Sequence, residues 1–554
     1  MKRPFSWVLL SGATGLVALF LGACDSGNSS LGAPTISGVS PNAGTASGGT
    51  RVTVVGQNFQ AGIAVLFGVT PGTGIAVNDT ESVSVTTPAG SDGPVNVTVD
   101  NPDGQTAVLS GGFTYQAATC AVPAEITSDT TIGPPCIWLA EATVVVGGAS
   151  NPTLTILPGT TVLFSTSQLG GPGVSLQVGS YQPGALQANG TSDAEILFTS
   201  TSGTPDAGDW GGVVIGPYGA GTSLQYVTIQ YAGGLYANSL PATEGAAVTV
   251  EGGDVLTGSA SQTPAPTFNN LSVEDTGGHG LVFAGVDTGF GPDSGTITVT
   301  NWEPTSHYPY VIEANQGGTI PTTIDAGTTD AGATPLPTAV VAFESYVSSA
   351  SYVTASTSWP PIALPYLALS NVVVQSTSAT AAADTLTIAA PNTIEFAAGV
   401  ELNVDAPPTG SAVPNGNSFL VANGTVGNGI TFTSAGAVPA INPWGGINFW
   451  CSGNNQNTGS SLQYATVAYG QSTKSGPTGT GELTVLDGLR TAIGPLGPPI
   501  ANCTFSNYGA TLYGIALVDI QTATFNAYQA NNSFATPRQV IQYCSGQITD
   551  GTCP

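Results

Sequence analysis

Six side chains have the type and spacing to do chemistry. Asp206 and Asp209 precede Trp210, while Glu274, Asp275 and Asp287 surround Gly278-His279-Gly280. Paired carboxylates are what cleavage of a glycosidic bond requires. One protonates the leaving oxygen, the other attacks or activates water, and the two must converge within about 5–10 Å. Acids of this kind can also hold Ca²⁺, which takes several oxygen ligands, and excess acids bridged by Ca²⁺ would stiffen the chain. Asp100 and Asp103 are further candidates for such a site, but no ligand series accompanies them and they read as solvated turn acids. Elimination beside a uronate needs a basic side chain. Lys474 and Arg490 are the only bases in their region, 16 residues apart with no acidic cluster around them. Trp302, Tyr308, Tyr310 and Trp359, where exposed, offer faces for sugar rings, although buried or loop-capping roles are commoner for such residues, and His307 among them is given no role. No Gly-x-Ser-x-Gly, His-Glu-x-x-His, P-loop or dinucleotide fingerprint is present.

The elements that must position these groups repeat. Leu154-Thr155-Ile156 through Phe164 answers Leu386-Thr387-Ile388 through Phe396, with one extra residue in the second copy. Leu186-Gln187-Ala188-Asn189-Gly190-Thr191 answers Leu420-Val421-Ala422-Asn423-Gly424-Thr425. Ile196-Leu197-Phe198-Thr199-Ser200, Trp210-Gly211-Gly212 and Leu224-Gln225-Tyr226 each recur 232 to 238 residues later. Within each copy, short runs with an alternating apolar face are separated by Gly, Asn or Pro. The Pro-Gly-Thr and Asn-Gly-Thr corners read as bends between consecutive strands of a coil rather than hairpins. A solenoid buries the inward residues by stacking each coil on the next. The ordered motifs resemble right-handed parallel β-helix proteins of bacterial surfaces, a scaffold that carries lyases, glycosidases, adhesins and inert stalks alike. About 15 coils at roughly 4.8 Å each are expected.

The duplication also tests the candidate acids. Gly278-His279-Gly280 beside aspartates resembles the polygalacturonase type of glycosidase, but that family's Asn-Thr-Asp, Asp-Asp and Arg-x-Lys segments are missing. The second copy has Leu512-Tyr513-Gly514-Ile515 there, so His279 reads as a variable turn residue. Asn442-Pro443 replaces the acids before Trp444, whereas Trp-Gly-Gly is retained, which points to packing.

Residues 33–115 differ in kind. Arg51-Val52-Thr53-Val54-Val55, Val65-Leu66-Phe67 and Val95-Asn96-Val97-Thr98-Val99 read as strands between Gly and Pro turns. Ile36-Ser37-Gly38-Val39-Ser40-Pro41, Val54-Val55-Gly56-Gln57-Asn58-Phe59, Asn101-Pro102-Asp103-Gly104 and Phe113-Thr114-Tyr115 resemble an IPT/TIG domain. The resemblance implies an immunoglobulin-like sandwich with a spacer or binding role.

Charge and cysteines bound the compartment. Lys2 and Arg3 precede an apolar run that closes on Leu21-Gly22-Ala23-Cys24. This layout resembles a bacterial lipoprotein signal, which implies cleavage before Cys24 and lipidation of its sulfur and new amine. The destination expected is the outer membrane or cell surface; the alternative is the inner membrane, where an aspartate at the position of Asp25 retains some such proteins. Loss of Lys2 and Arg3 takes the formal charge from −27 to −29 and leaves Arg51, Lys474, Arg490 and Arg538 as the only bases. So acidic a chain excludes nucleic acid as a partner. The partners expected are the membrane through the lipid and a polysaccharide or surface protein. Cys120, Cys136, Cys451, Cys503, Cys544 and Cys553 remain, and six cysteines allow fifteen pairings. Proximity favours Cys120–Cys136 and Cys544–Cys553, which leaves Cys451–Cys503.

The expected protein is therefore all-β. It has a leader over 1–23, a tether over 24–32 and an immunoglobulin-like β-sandwich over 33–115. A duplicated right-handed parallel β-helix follows over 116–318 and 346–554. Residues 319–345, with Asp-Ala-Gly twice, form a loop or hinge between half-solenoids, or a bulge on one continuous coil stack. The expected role is contact, adhesion or scaffolding at the envelope without catalysis and without a cofactor. A glycoside hydrolase or polysaccharide lyase on the β-helix is the alternative.

Overall fold

The computed structural model describes residues 32–554 apart from 167–172, 236–244, 253–263, 286–287, 303–306, 327–340, 345–349, 377–382, 407–417, 436–443, 452–456, 471–480, 488–496, 508–512, 519–521, 536–539, 545–546 and 550–554. Two compact units are formed, the first ending at Ala117 and the second starting at Ala118.

The first unit is a sandwich of two sheets. Thr35–Ser40, Arg51–Gln57, Ser82–Thr86 and Thr73–Val77 make one, while the other is led by Thr106–Gln116 and Gly93–Asp100. Alternation decides the burial: in Arg51–Gln57, Val52 and Val54 point inward and Arg51 and Val55 outward. Phe113 packs edge-on against both Phe67 and Tyr115, and the Tyr115 hydroxyl donates to Pro88 O at 2.7 Å.

The second unit is a parallel β-helix in which each coil contributes three strands. Cys136–Ala140, Val144–Val146 and Thr153–Ile156 make one coil; Thr161–Phe164, Leu176–Val178 and Ala185–Asn189 make the next. Each strand pairs in parallel with its counterpart one coil on, so inward residues stack in columns. One column runs Val162, Phe198, Ile229, Val273 and Val299. Every member is at most 3% exposed. Full burial of each such side chain stabilises by about 1.5–3 kcal/mol relative to exposure, an upper bound because unfolded chains already hide some surface.

Corner residues are selected by backbone conformation. The long strands Ser223–Gln230 and Thr267–Glu274 bend at Tyr226 and Asn270, both with left-handed φ, 48° and 50°. The second copy repeats this at Tyr464 (48°) and Asn502 (57°). Gly212 and Gly446, the second glycines of Trp-Gly-Gly, also share positive φ, 81° and 78°. A Cβ on Gly212 would lie 2.4 Å from Ala246 O.

The coil stack is continuous across the join of the two copies. Tyr310–Ile312 pairs with Val341–Phe343, which pairs with Tyr366–Ala368, within a single ladder of 14 strands. Within 319–345, read from the sequence as a loop or hinge or as a bulge on one continuous stack, Ile324–Ala326 and Val341–Phe343 are ladder strands, while 327–340 lie outside the described residues. The join has an offset. In the first copy Thr161–Phe164 and Ile196–Ser200 stand on one wall, and Val144–Val146 and Leu176–Val178 on the next. Their second-copy counterparts Asn392–Phe396 and Ile430–Ser434 continue the ladder of Val144–Val146, not that of Thr161–Phe164. The second copy is rotated by one wall.

Candidate functional site

The carboxylates singled out in the sequence are held in turns and ladders. Asp209 Oδ2 accepts from Ser200 Oγ and from Asp206 N, and Asp209 N donates to Asp206 O at 3.1 Å. The two acids thus close the turn that delivers Trp210 to the core. Trp210 is fully buried, donates Nε1–H to Gln230 O at 2.8 Å and stacks on Phe164. Trp444 repeats the arrangement with Ala468 O and Phe396.

Glu274 ends the strand Thr267–Glu274. Its Oε1 accepts from Ser272 Oγ at 2.8 Å and its Oε2 from Gln230 Nε2 at 2.9 Å. Asp275 is the corner that follows, with φ 53°, and its counterpart in the second copy is Asn507 at 62°. Its Oδ1 accepts from Asn301 Nδ2 at 3.0 Å. Short polar side chains tolerate this left-handed conformation, so Asp275 is at this position for its backbone. His279 is not a turn residue. It opens the strand His279–Ala284, is 1% exposed, and its Nδ1 accepts from Tyr308 N at 2.9 Å, with His307 edge-on at 4.9 Å. That strand is buried on both sides because Val282 joins Val311, Ala342 and Leu367 in an outer apolar cluster. Trp302, Tyr310 and Trp359 are at most 2% exposed, so they are core residues and not platforms for sugar. Burial holds the Tyr310 phenol well above its ordinary range.

Cys120 and Cys136 are joined in a disulfide, Cα to Cα 5.7 Å, across paired strands. Cys503 forms no disulfide: it is a buried free thiol lying 3.3 Å from Leu462 O and 3.4 Å from Ala501 O. The pairing Cys451–Cys503 is therefore corrected, because the Cys503 sulfur faces the coil interior. Cys24, Asp287 and Cys553 lie outside the described residues, as do the side chains of Cys451 and Cys544. Among the described residues, no three His, Cys, Asp or Glu side chains gather as metal ligands. Asp103 accepts from Gln105 N at 3.0 Å and also from Gln60 Nε2, bonds that hold its carboxyl below the ordinary value.

The sequence missed a cleft on the second copy. About 470 Å³ opens where three strands of the 14-stranded ladder begin, between residues 362–365, 391–395 and 429–431. Ile362, Leu364 and Pro365 supply an apolar side; Asn392, Thr393, Thr431 and Glu395 supply polar groups. Glu395 stands on the outward side of Asn392–Phe396 between inward Ile394 and Phe396, and burial raises its carboxyl above the ordinary value. Asn392 is 6% exposed, donates Nδ2–H to Pro360 O and Ala389 O, and leaves Oδ1 without a partner. The signal that could have found it is a mismatch between copies: Glu395 answers Leu163 in an otherwise matching strand.

The fold defines an all-β protein of an immunoglobulin-like sandwich and a parallel β-helix. Residues 34–115 match the family model of the IPT/TIG domain, and residues 124–223 match that of the pectate-lyase like beta helix domain. No curated protein matches the chain in sequence.

Proposed function

We propose that this chain is a lipid-anchored protein of the bacterial envelope whose β-helix contacts carbohydrate without cleaving it. The supporting observation is the Glu395 cleft. One carboxyl, one amide oxygen without a partner and two threonines border an apolar side, the composition expected of a site that orients a hydroxylated ligand. A single carboxyl lines it, whereas hydrolysis needs two that converge. Cys24 carries the lipid, and the sandwich serves as spacer. Among the described lining residues none is basic, which turns the cleft away from uronates.

A second reading is a polysaccharide lyase, favoured by the match of residues 124–223. The two separate cleanly. Retention on insoluble polysaccharides that Glu395→Leu weakens, with no unsaturated uronate and no new reducing ends, is the expected result. Product release that survives in purified protein would overturn the non-catalytic reading. Anchoring is tested by labelled palmitate, which Cys24→Ser should fail to incorporate.

A further inference from the structure

A second, smaller cleft of about 280 Å³ lies at the first three strands of the same ladder, at the edge where strands leave it rather than enter. Its polar lining is Glu125, Thr127, Ser180, Tyr181 and Gln182, over Val145, Val146 and Gly147. Three observations mark it as built for a ligand. Ser180 is 5% exposed, yet its Oγ has no hydrogen-bond partner. Buried hydroxyls are normally paired, and one left over asks for an external partner. Tyr181, beside it, is 66% exposed, while most aromatic rings of this unit are packed in its core. Glu125, Thr127 and Gln182 are all exposed around the same opening.

We propose that this cleft binds the end of a neutral oligosaccharide, as a site separate from the Glu395 cleft. The Tyr181 ring and the two valines take the C–H face of a pyranose, an apolar surface with polar edges. Ser180 Oγ, turned by one staggered step of χ1, meets a sugar hydroxyl. Glu125 accepts from a pair of hydroxyls, a charge-assisted bond stronger than a neutral one. The lining carries a carboxyl and no cation, which rejects uronates, sulfates and phosphates. The volume lies just below the usual range of ligand sites, about 300–1,000 Å³, so a chain end fits and a protein surface does not. Seven strand spacings separate Leu176–Val178 from Asn392–Phe396 along the ladder, or about 34 Å at the usual spacing of about 4.8 Å.

The test is calorimetric titration of the whole chain with cellohexaose, maltohexaose and hexagalacturonate, with saturation-transfer NMR reading the contact. At least one neutral hexasaccharide should bind and hexagalacturonate should not. Tyr181→Ala, an exposed change that spares the core, should weaken binding by about tenfold or more, and Ser180→Ala by about threefold. In the Glu395→Leu background, where the first cleft is disabled, the loss caused by Tyr181→Ala should persist. Failure of both neutral probes, binding of hexagalacturonate alone, or Tyr181→Ala binding as tightly as the parent would each overturn this site. Loss only in Glu395→Leu would leave the first cleft standing and remove this one.

Discussion

Phe164 lies flat on Trp210, ring centroids 4.0 Å apart and planes 4° from parallel. The tryptophan arrives from the long crossing between walls, so the stack fastens a loop of one coil to the strand of another. Phe396 and Trp444 make the same contact at 4.2 Å and 12°.

Trp210→Ala empties the largest kind of buried side chain and leaves Gln230 O without its donor, so a loss of about 3–5 kcal/mol is expected. Trp210→Phe keeps the stack and should lose less. Urea unfolding followed by tryptophan fluorescence reads both, and an unchanged midpoint for Trp210→Ala would contradict the packing role.

Asp275 should be replaceable by the residue its counterpart carries. Asp275→Asn is expected to be close to neutral, and Asp275→Val to cost about 1–2 kcal/mol because a β-branched residue resists left-handed φ. Thermal melts of the two variants decide it. If Asp275→Asn instead abolished carbohydrate retention, Asp275 would be a functional acid.

The raised carboxyl of Glu395 makes stability depend on pH with a definite sign. The folded state holds this proton more tightly than the unfolded chain, so unfolding releases it between the ordinary and the raised value. Stability contributed by the proton is full below the ordinary value and is lost as pH rises through the folded one. Glu395→Gln should therefore stabilise the protein near neutral pH, by at most about 1 kcal/mol for a group this exposed. The same substitution should flatten the curve as pH rises above the ordinary glutamate value of about 4.3. Denaturation midpoints across that range measure it.

Burial pushes the Cys503 thiol up to about 11. At pH 8 only about one molecule in a thousand then carries the reactive thiolate. Iodoacetamide should leave the peptide bearing Cys503 unlabelled in native protein and label it after unfolding, read by mass spectrometry. Removal of the Cys120–Cys136 bridge should cost about 3 kcal/mol on a loop-entropy estimate for its size. EDTA should leave the melting temperature within about 1 °C, since binding only to the folded state would raise it.

The architecture was legible because burial by alternation leaves a period in the sequence. Val162 and Phe164 point inward, as do Ile394 and Phe396, and the ordered corners between them recur. The offset between copies was not legible, because no repeated motif spans the join, where Tyr310–Ile312 meets Val341–Phe343. His279 looked like a turn because glycines flank it, but neighbouring strands and an outer apolar layer decide its place. The candidate sites were scarcely visible. Glu395 hides in an apolar strand motif, and the isolation of Ser180 Oγ depends on a corner that only the folded coil creates.

The one-wall rotation at the join has a further consequence. Duplication in a straight stack would set matching side chains in one line and double the length of any strip they form. Here the second copy looks out in a different compass direction from the first. Leu163 and Glu395 occupy the same place in the repeat yet face different neighbourhoods, so each copy was free to drift toward its own contacts without unsettling the other. The repeat has yielded two outlooks in place of one longer one.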